Sequence, residues 1–170
     1  MAVFDLLTPV GYAQFLSVNA AALIPAEDSL RATGIAALLP DWADRARSAV
    51  IAEDLAGLGA DPVAPLDPPT YADTATALGA AYVLEGSRLG ARVLSRIAAN
   101  SPHAAVRDNM AFLRHGEGQG FWPDFLSVVE ETLQTSADLA RARSGALTTF
   151  ALFQAALDRC DPVLSQRCAP

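Results

Sequence analysis

The chain has 170 residues, 52% of them hydrophobic, and 12 basic against 19 acidic side chains give a formal net charge of −7; one domain is expected, burying roughly 70% of its unfolded surface in a single core. The acidic balance repels a nucleic-acid backbone and no basic patch offsets it, all twelve basic residues being arginine, so no nucleic-acid partner is expected. The N-terminus lacks a signal-peptide pattern, the apolar tracts at 18–24 and 77–84 are too short or too interrupted to span a bilayer, and Cys160 and Cys168 form no disulfide framework, so a cytoplasmic protein with no membrane partner is expected.

Helical periodicity dominates and alternating strand patterns are scarce. Thr8 and Pro9 read as an N-cap followed by proline at the first helical position. They open a helix over about 11–23 that carries Tyr12, Phe15, Leu16 and Leu23 inward and that Pro25 disturbs or ends. A second helix is expected over 26–38 and a third over 41–58, opened by Pro40 and closed by Gly57 or Gly59. The stretch 60–69, ADPVAPLDPP, is a proline-rich connection. A long helix follows from Thr70 to Asn100, stopped by Pro102 and disturbed near its glycines; a short one covers 104–113. After the glycine loop HGEGQG, a helix opened by Pro123 runs to near Gln134, and the last, capped by Ser136, reaches about Arg159. The domain therefore spans 1–159, with a tail at 160–170.

The long helix holds the strongest signal. Gly79, Val83, Gly86, Gly90, Val93 and Ile97 recur at spacings of three and four, which places them along one helical face nearly bare of side chain. Each interior glycine costs about 0.5–1 kcal/mol relative to alanine, so the bare backbone is expected to serve a close neighbour. Two neighbours fit: a second helix packed on the small residues, or a flat ligand pressed on the backbone. Glu85, an acid inside an apolar run, needs a partner, and Arg88 at i+3 is the nearest in sequence. His103 and His115 have no second His, Cys or carboxylate at metal-site spacing, so no metal site is expected.

The string YVLEGSRLGARV at 82–93 resembles the distal-helix signature YVLEGSTLGG of the bacterial haem oxygenases that accompany bacteriophytochromes, departing at Arg88 and at Ala91, where the family has a second glycine. DLLTPVGYAQFL at 5–16 resembles that family's second helix, FLRHGEGQGFWPDFL at 112–126 its interhelical loop, and ALTTFALFQAAL at 146–157 its last helix. The resemblance implies an all-α, haem-oxygenase-like multi-helical bundle in a single domain. In the family a histidine on a first helix, upstream of the segment resembling 5–16, holds the haem iron. Only Met1 to Phe4 precede that point here, so the first helix is expected to be missing and to leave a vacated groove.

For the site, the resemblance implies haem as the cofactor, held weakly in the chain as given. Gly86 and Gly90 would lie on the ring, Ser87 would donate to a bound water or ligand or bond back to the carbonyl of Val83, and Tyr82 would reach a propionate or pack in the core. Arg141 and Arg143 would neutralise the propionates, the alternative being a solvated face balanced against Asp138. His115 would enter the tetrapyrrole pocket or serve at the surface, and Trp122 and Phe125 would anchor the core. No catalytic residue is singled out. Two functions follow as expectations: oxidative cleavage of haem to biliverdin, or a non-enzymatic regulator that binds a tetrapyrrole. In the second, the groove takes a partner helix or a homodimer mate.

Overall fold

The computed structural model describes residues 4–61 and 63–160, and every regular element among them is helical. Helix α1 spans Pro9–Ala32; the Thr8 hydroxyl accepts from the Gly11 N–H at 3.2 Å, and Pro9 takes a position whose N–H has no helical partner. Pro25 does not end the helix. Its ring is buried inside α1, and packing of Leu23, Ala26 and Leu30 into the core outweighs the lost backbone bond, so the two helices expected on either side of it are one. The chain turns only at Gly34, which adopts φ +76°, a left-handed conformation open to glycine without steric cost.

The helix expected over 41–58 is two: α2, Trp42–Arg45, and α3, Ser48–Gly57. Ala46 is extended between them. The cause is Glu27 of α1, whose buried carboxylate accepts from the Arg47 and Ser48 N–H groups at 2.9 and 3.0 Å and so caps α3 from another helix. Helix α4, Thr74–Ala98, starts four residues later than expected, because Asp73 and Thr76 form a reciprocal capping box. It runs through Gly86 and Gly90 without interruption.

The expected helix over 104–113 also divides, into α5, Ala104–Asp108, and α6, Ala111–Arg114. Buried Asp54 of α3 accepts from the Ala111 and Phe112 N–H groups at 3.1 and 2.7 Å, repeating the device of Glu27. Helix α7 spans Phe121–Thr132 and α8 spans Ser136–Cys160. Thr135, not Ser136, caps α8: its hydroxyl accepts from the Asp138 N–H at 3.1 Å, while the Asp138 carboxylate accepts from the Thr135 N–H at 3.0 Å. Most of the expected tail, 161–170, lies outside the described residues.

Helix α4 is the axis of the bundle: α1, α6, α7 and α8 all pack on it, and α1 in turn carries α3 and α8. Tyr12, Leu16 and Leu23 are buried as their spacing predicts, with Ile51, Leu78, Leu84 and Phe125 filling the same core and Phe15 at its edge. No helix among the described residues is long and apolar enough to cross a membrane.

Candidate functional site

The three glycines of the bare face have three different neighbours. A side chain on Gly79 would fall on the carbonyl of Ala142, and one on Gly145 would fall on the carbonyl of Thr76, so α4 and α8 meet there backbone to backbone. At Gly86 the neighbour is the Trp122 ring of α7, 3.6 Å from where a Cβ would sit. At Gly90 nothing lies within 4 Å. The helix-packing reading therefore holds at Gly79, an aromatic ring covers Gly86, and the face is open from Gly90 onward.

Tyr82 is half exposed rather than a core tyrosine, its ring centroid 5.2 Å from that of Trp122 and 6.4 Å from that of Phe125. Phe125 is the fully buried anchor of this aromatic group. Val83 turns inward, whereas Val93 and Ile97 are 56% and 44% exposed on the open stretch. Ile97 also borders a groove of about 690 Å³. Leu94 and Ile97 of α4 and Phe153 and Leu157 of α8 line it, together with Phe15 and Val18 of α1. Its polar side chains are Asp5 and Asn19.

Leu139, Arg143 and Phe150 recur at helical spacing on the flank of α8 that carries the groove-lining Phe153 and Leu157. The two expected cations differ. Arg141 is engaged with Asp73 at 3.0 Å and Asp138 at 2.6 Å, as the solvated-face alternative expects. Arg143 is exposed and makes no ion pair with a described residue.

On the inner side of α4 lies a charged cluster that sequence reading largely missed. Glu85 is 1% exposed and pairs with Arg88 as expected, Nη2 to Oε1 at 2.9 Å, but it also receives Arg45 of α2 at 3.0 Å. Arg45 donates further to Asp41 at 2.8 Å and to the Phe121 carbonyl at 2.8 Å. Arg88 donates to the Arg45 carbonyl, and both guanidinium groups stand over the Phe121 ring, at 4.7 and 5.2 Å from its centroid. The Arg45 guanidinium holds the Asp41 carboxyl below its ordinary range.

Arg47 is buried with no carboxylate of a described residue in ion-pair contact; it donates to the Leu84 carbonyl at 2.9 Å and to the Ser87 hydroxyl at 3.0 Å. Burial, with Arg88 adding to it, lowers the Arg47 pKa to about 10. Ser87 bonds back to Leu84 rather than Val83, at 2.6 Å, so its proton is committed to α4 itself. Arg45, Arg47, Glu27 and Asp54 left no separate signal in the sequence, because each stands among other charged residues, as in DWADRARS at 41–48, Glu27-Asp28 and Glu53-Asp54.

Neither histidine lines the groove. His115 lies beside α4, its Nδ1 accepting from Arg88 Nη1 at 2.9 Å. Burial and then the charges of Arg88 and Arg47 lower its pKa to about 4, so the ring is neutral. His103 is exposed at the start of α5. Among the described residues no group of three or more His, Cys, Asp or Glu is placed to hold a metal ion.

No family model matches the chain. A protein of Xanthomonas campestris pv. campestris (strain 8004) named heme oxygenase is 33% identical over 146 residues, which cover 86% of this chain and 88% of that one. The fold matches the crystal structure of the NO- and CO-bound heme oxygenase from Neisseria meningitidis with a TM-score of 0.68 and 21% identity, over 91% of this chain and 78% of that one. The second likeness shows the all-helical fold and the first extends over most of both sequences, and on these grounds the chain belongs to the haem oxygenase family.

Proposed function

We propose that the chain binds haem along the open face of α4 and the groove beside it, in the cytoplasm, and that its reaction is the oxidative opening of haem to biliverdin. One observation carries the binding step: the α4 backbone is bare at Gly90 and adjoins an apolar groove of about 690 Å³. That volume lies within the roughly 300–1,000 Å³ usual for small-molecule sites. A flat apolar ring fits against Gly90, Val93 and Ile97, with an edge toward Phe153 and Leu157. A ring carboxylate fits Arg143, whose planar guanidinium is free to bond it bidentately, while Arg141 is already paired. Bound haem would bring the redox-active iron and the oxidisable ring.

The iron itself is not matched. Haem iron is held by His, Cys, Met or Tyr, and the described lining of the groove holds none of these. The residues of this chain therefore hold the ring and its carboxylate, and a ligand for the iron, with turnover depending on it, comes from outside that lining. Titrating haem into the protein while recording the Soret band tests the proposal. A saturable one-to-one complex is expected in the wild type, lost in Gly90→Leu with thermal stability retained. Adding oxygen and a reductant then reads biliverdin formation. Binding unchanged in Gly90→Leu, or no saturable complex at all, would overturn the assignment.

A second reading rests on the exposed apolar side chains Leu89, Val93, Leu147 and Phe150, which suit a helix from another chain or a second copy of this one.

A further inference from the structure

Resting on that reading of the groove, we infer that its selectivity is for iron-free tetrapyrroles, the N–H-bearing free-base or linear rings, which bind at least as tightly as haem. The groove holds two kinds of chemistry. Its walls are apolar and treat any tetrapyrrole ring alike. Its two polar side chains, Asp5 and Asn19, present acceptors. The Asn19 Nδ2 donates one of its two N–H groups to the Phe15 carbonyl at 2.8 Å, which fixes the amide and leaves Oδ1 as an acceptor beside the second N–H, and the Asp5 carboxylate accepts from the Leu7 N–H at 3.0 Å through one oxygen only.

An acceptor buried beside a ligand is satisfied only by a donor. Iron-free tetrapyrroles carry pyrrole N–H groups; in haem those nitrogens are bound to the metal and donate nothing. Among the described residues, no His, Tyr, Met or Cys side chain lines the groove. His115 is bonded to Arg88, the Tyr71 hydroxyl to Thr149 at 2.9 Å, and Tyr12 and Met110 are buried in the core away from the groove. The iron thus gains no ligand from the described lining and removes the ring donors that Asn19 Oδ1 and the Asp5 carboxylate accept from.

The test is a set of three titrations of the full chain, with haem, protoporphyrin IX and biliverdin, each followed by quenching of tryptophan fluorescence. Dissociation constants for the two iron-free ligands equal to or below that of haem are expected. Asn19→Leu removes the acceptor and is expected to weaken the iron-free ligands by about tenfold, the worth of one hydrogen bond, while leaving haem unchanged; Asn19→Ala, which adds no bulk, repeats the comparison should leucine disturb α1. Haem binding more than about tenfold tighter than either iron-free ligand, with the spectrum of a histidine- or thiolate-ligated iron, would overturn the inference and leave the proposed haem site standing. Equal weakening of all three ligands by both Asn19 variants would also overturn it. Failure of all three ligands to bind saturably would remove the groove assignment itself.

Discussion

Glu85 carries two buried guanidinium groups, and its removal leaves Arg88 without a carboxylate and Arg45 with only the more exposed Asp41. Breaking a buried pair by deleting one partner costs about 3–5 kcal/mol, because the remaining charge is stranded in the core. Glu85→Gln keeps the shape and removes the charge, so it should lose stability in that range by urea denaturation; a loss within the range of ordinary surface substitutions would show that Arg45 and Arg88 find water instead. A second residue sets the acid side of the stability profile. His115 titrates near 6.5 when unfolded and near 4 in the fold, where burial comes first and Arg88 and Arg47 add to it, against the opposing pull of Glu85 and Asp44. The unfolded chain therefore takes up a proton that the folded ring refuses. Stability is independent of this group above about 6.5 and falls as the pH drops from there toward about 4. His115→Gln should flatten that decline relative to the wild type, and identical slopes for the two proteins would show that the ring protonates freely in place.

The glycines of α4 and α8 rank by what they touch. Gly79→Ala and Gly145→Ala each force a methyl group onto a backbone carbonyl of the facing helix, and overpacking of this kind costs about 1–3 kcal/mol. Gly90→Ala adds its methyl to open space and should instead stabilise by about 0.5–1 kcal/mol through helix propensity. Gly86→Ala meets Trp122 at ordinary contact distance and belongs between them. Thermal denaturation of the four variants gives the order directly, and a stabilising Gly79→Ala would mean that α4 and α8 do not touch there. Sequence reading placed all three α4 glycines on one face because helical period is a local property. It did not separate their roles, because their neighbours come from residues 122 and 142. The same limit explains the helix boundaries. Thr8 and the proline-rich connection were legible, being local signals. The breaks before α3 and α6 were not, because Glu27 and Asp54 cap those helices from other elements. Pro25 was read as a stop because its ring costs a backbone bond, and the burial that offsets this loss depends on the whole bundle. Of the candidate site, Gly90 was legible only as one of three glycines and Arg143 only as one of two arginines, because which glycine stays open, which arginine stays unpaired and where α1 forms the groove floor are set by distant segments.

At the scale of the molecule, the open stretch of α4 and the flank of α8 leave apolar side chains in water on a chain whose net charge of −7 otherwise favours solubility. Soluble monomers seldom keep a contiguous apolar face without a use for it, and the two proposed uses compete for the same surface. A ligand that binds only the folded state stabilises it by about 2.7 kcal/mol at a hundred times its dissociation constant, whatever the protein concentration. A second copy on the same face makes the melting temperature rise with protein concentration and doubles the mass. Sedimentation and thermal melts of the ligand-free chain, repeated with saturating haem, therefore separate the cases. For the ligand reading, the ligand-free protein is monomeric and haem raises the melting temperature in the wild type but not in Gly90→Leu. For the helix reading, the ligand-free protein dimerises and haem, taking the same face, dissociates it to a ligand-bound monomer. A monomer at every concentration whose melting temperature ignores haem would leave the face without either occupant, and the bare backbone at Gly90 would then be incidental to function.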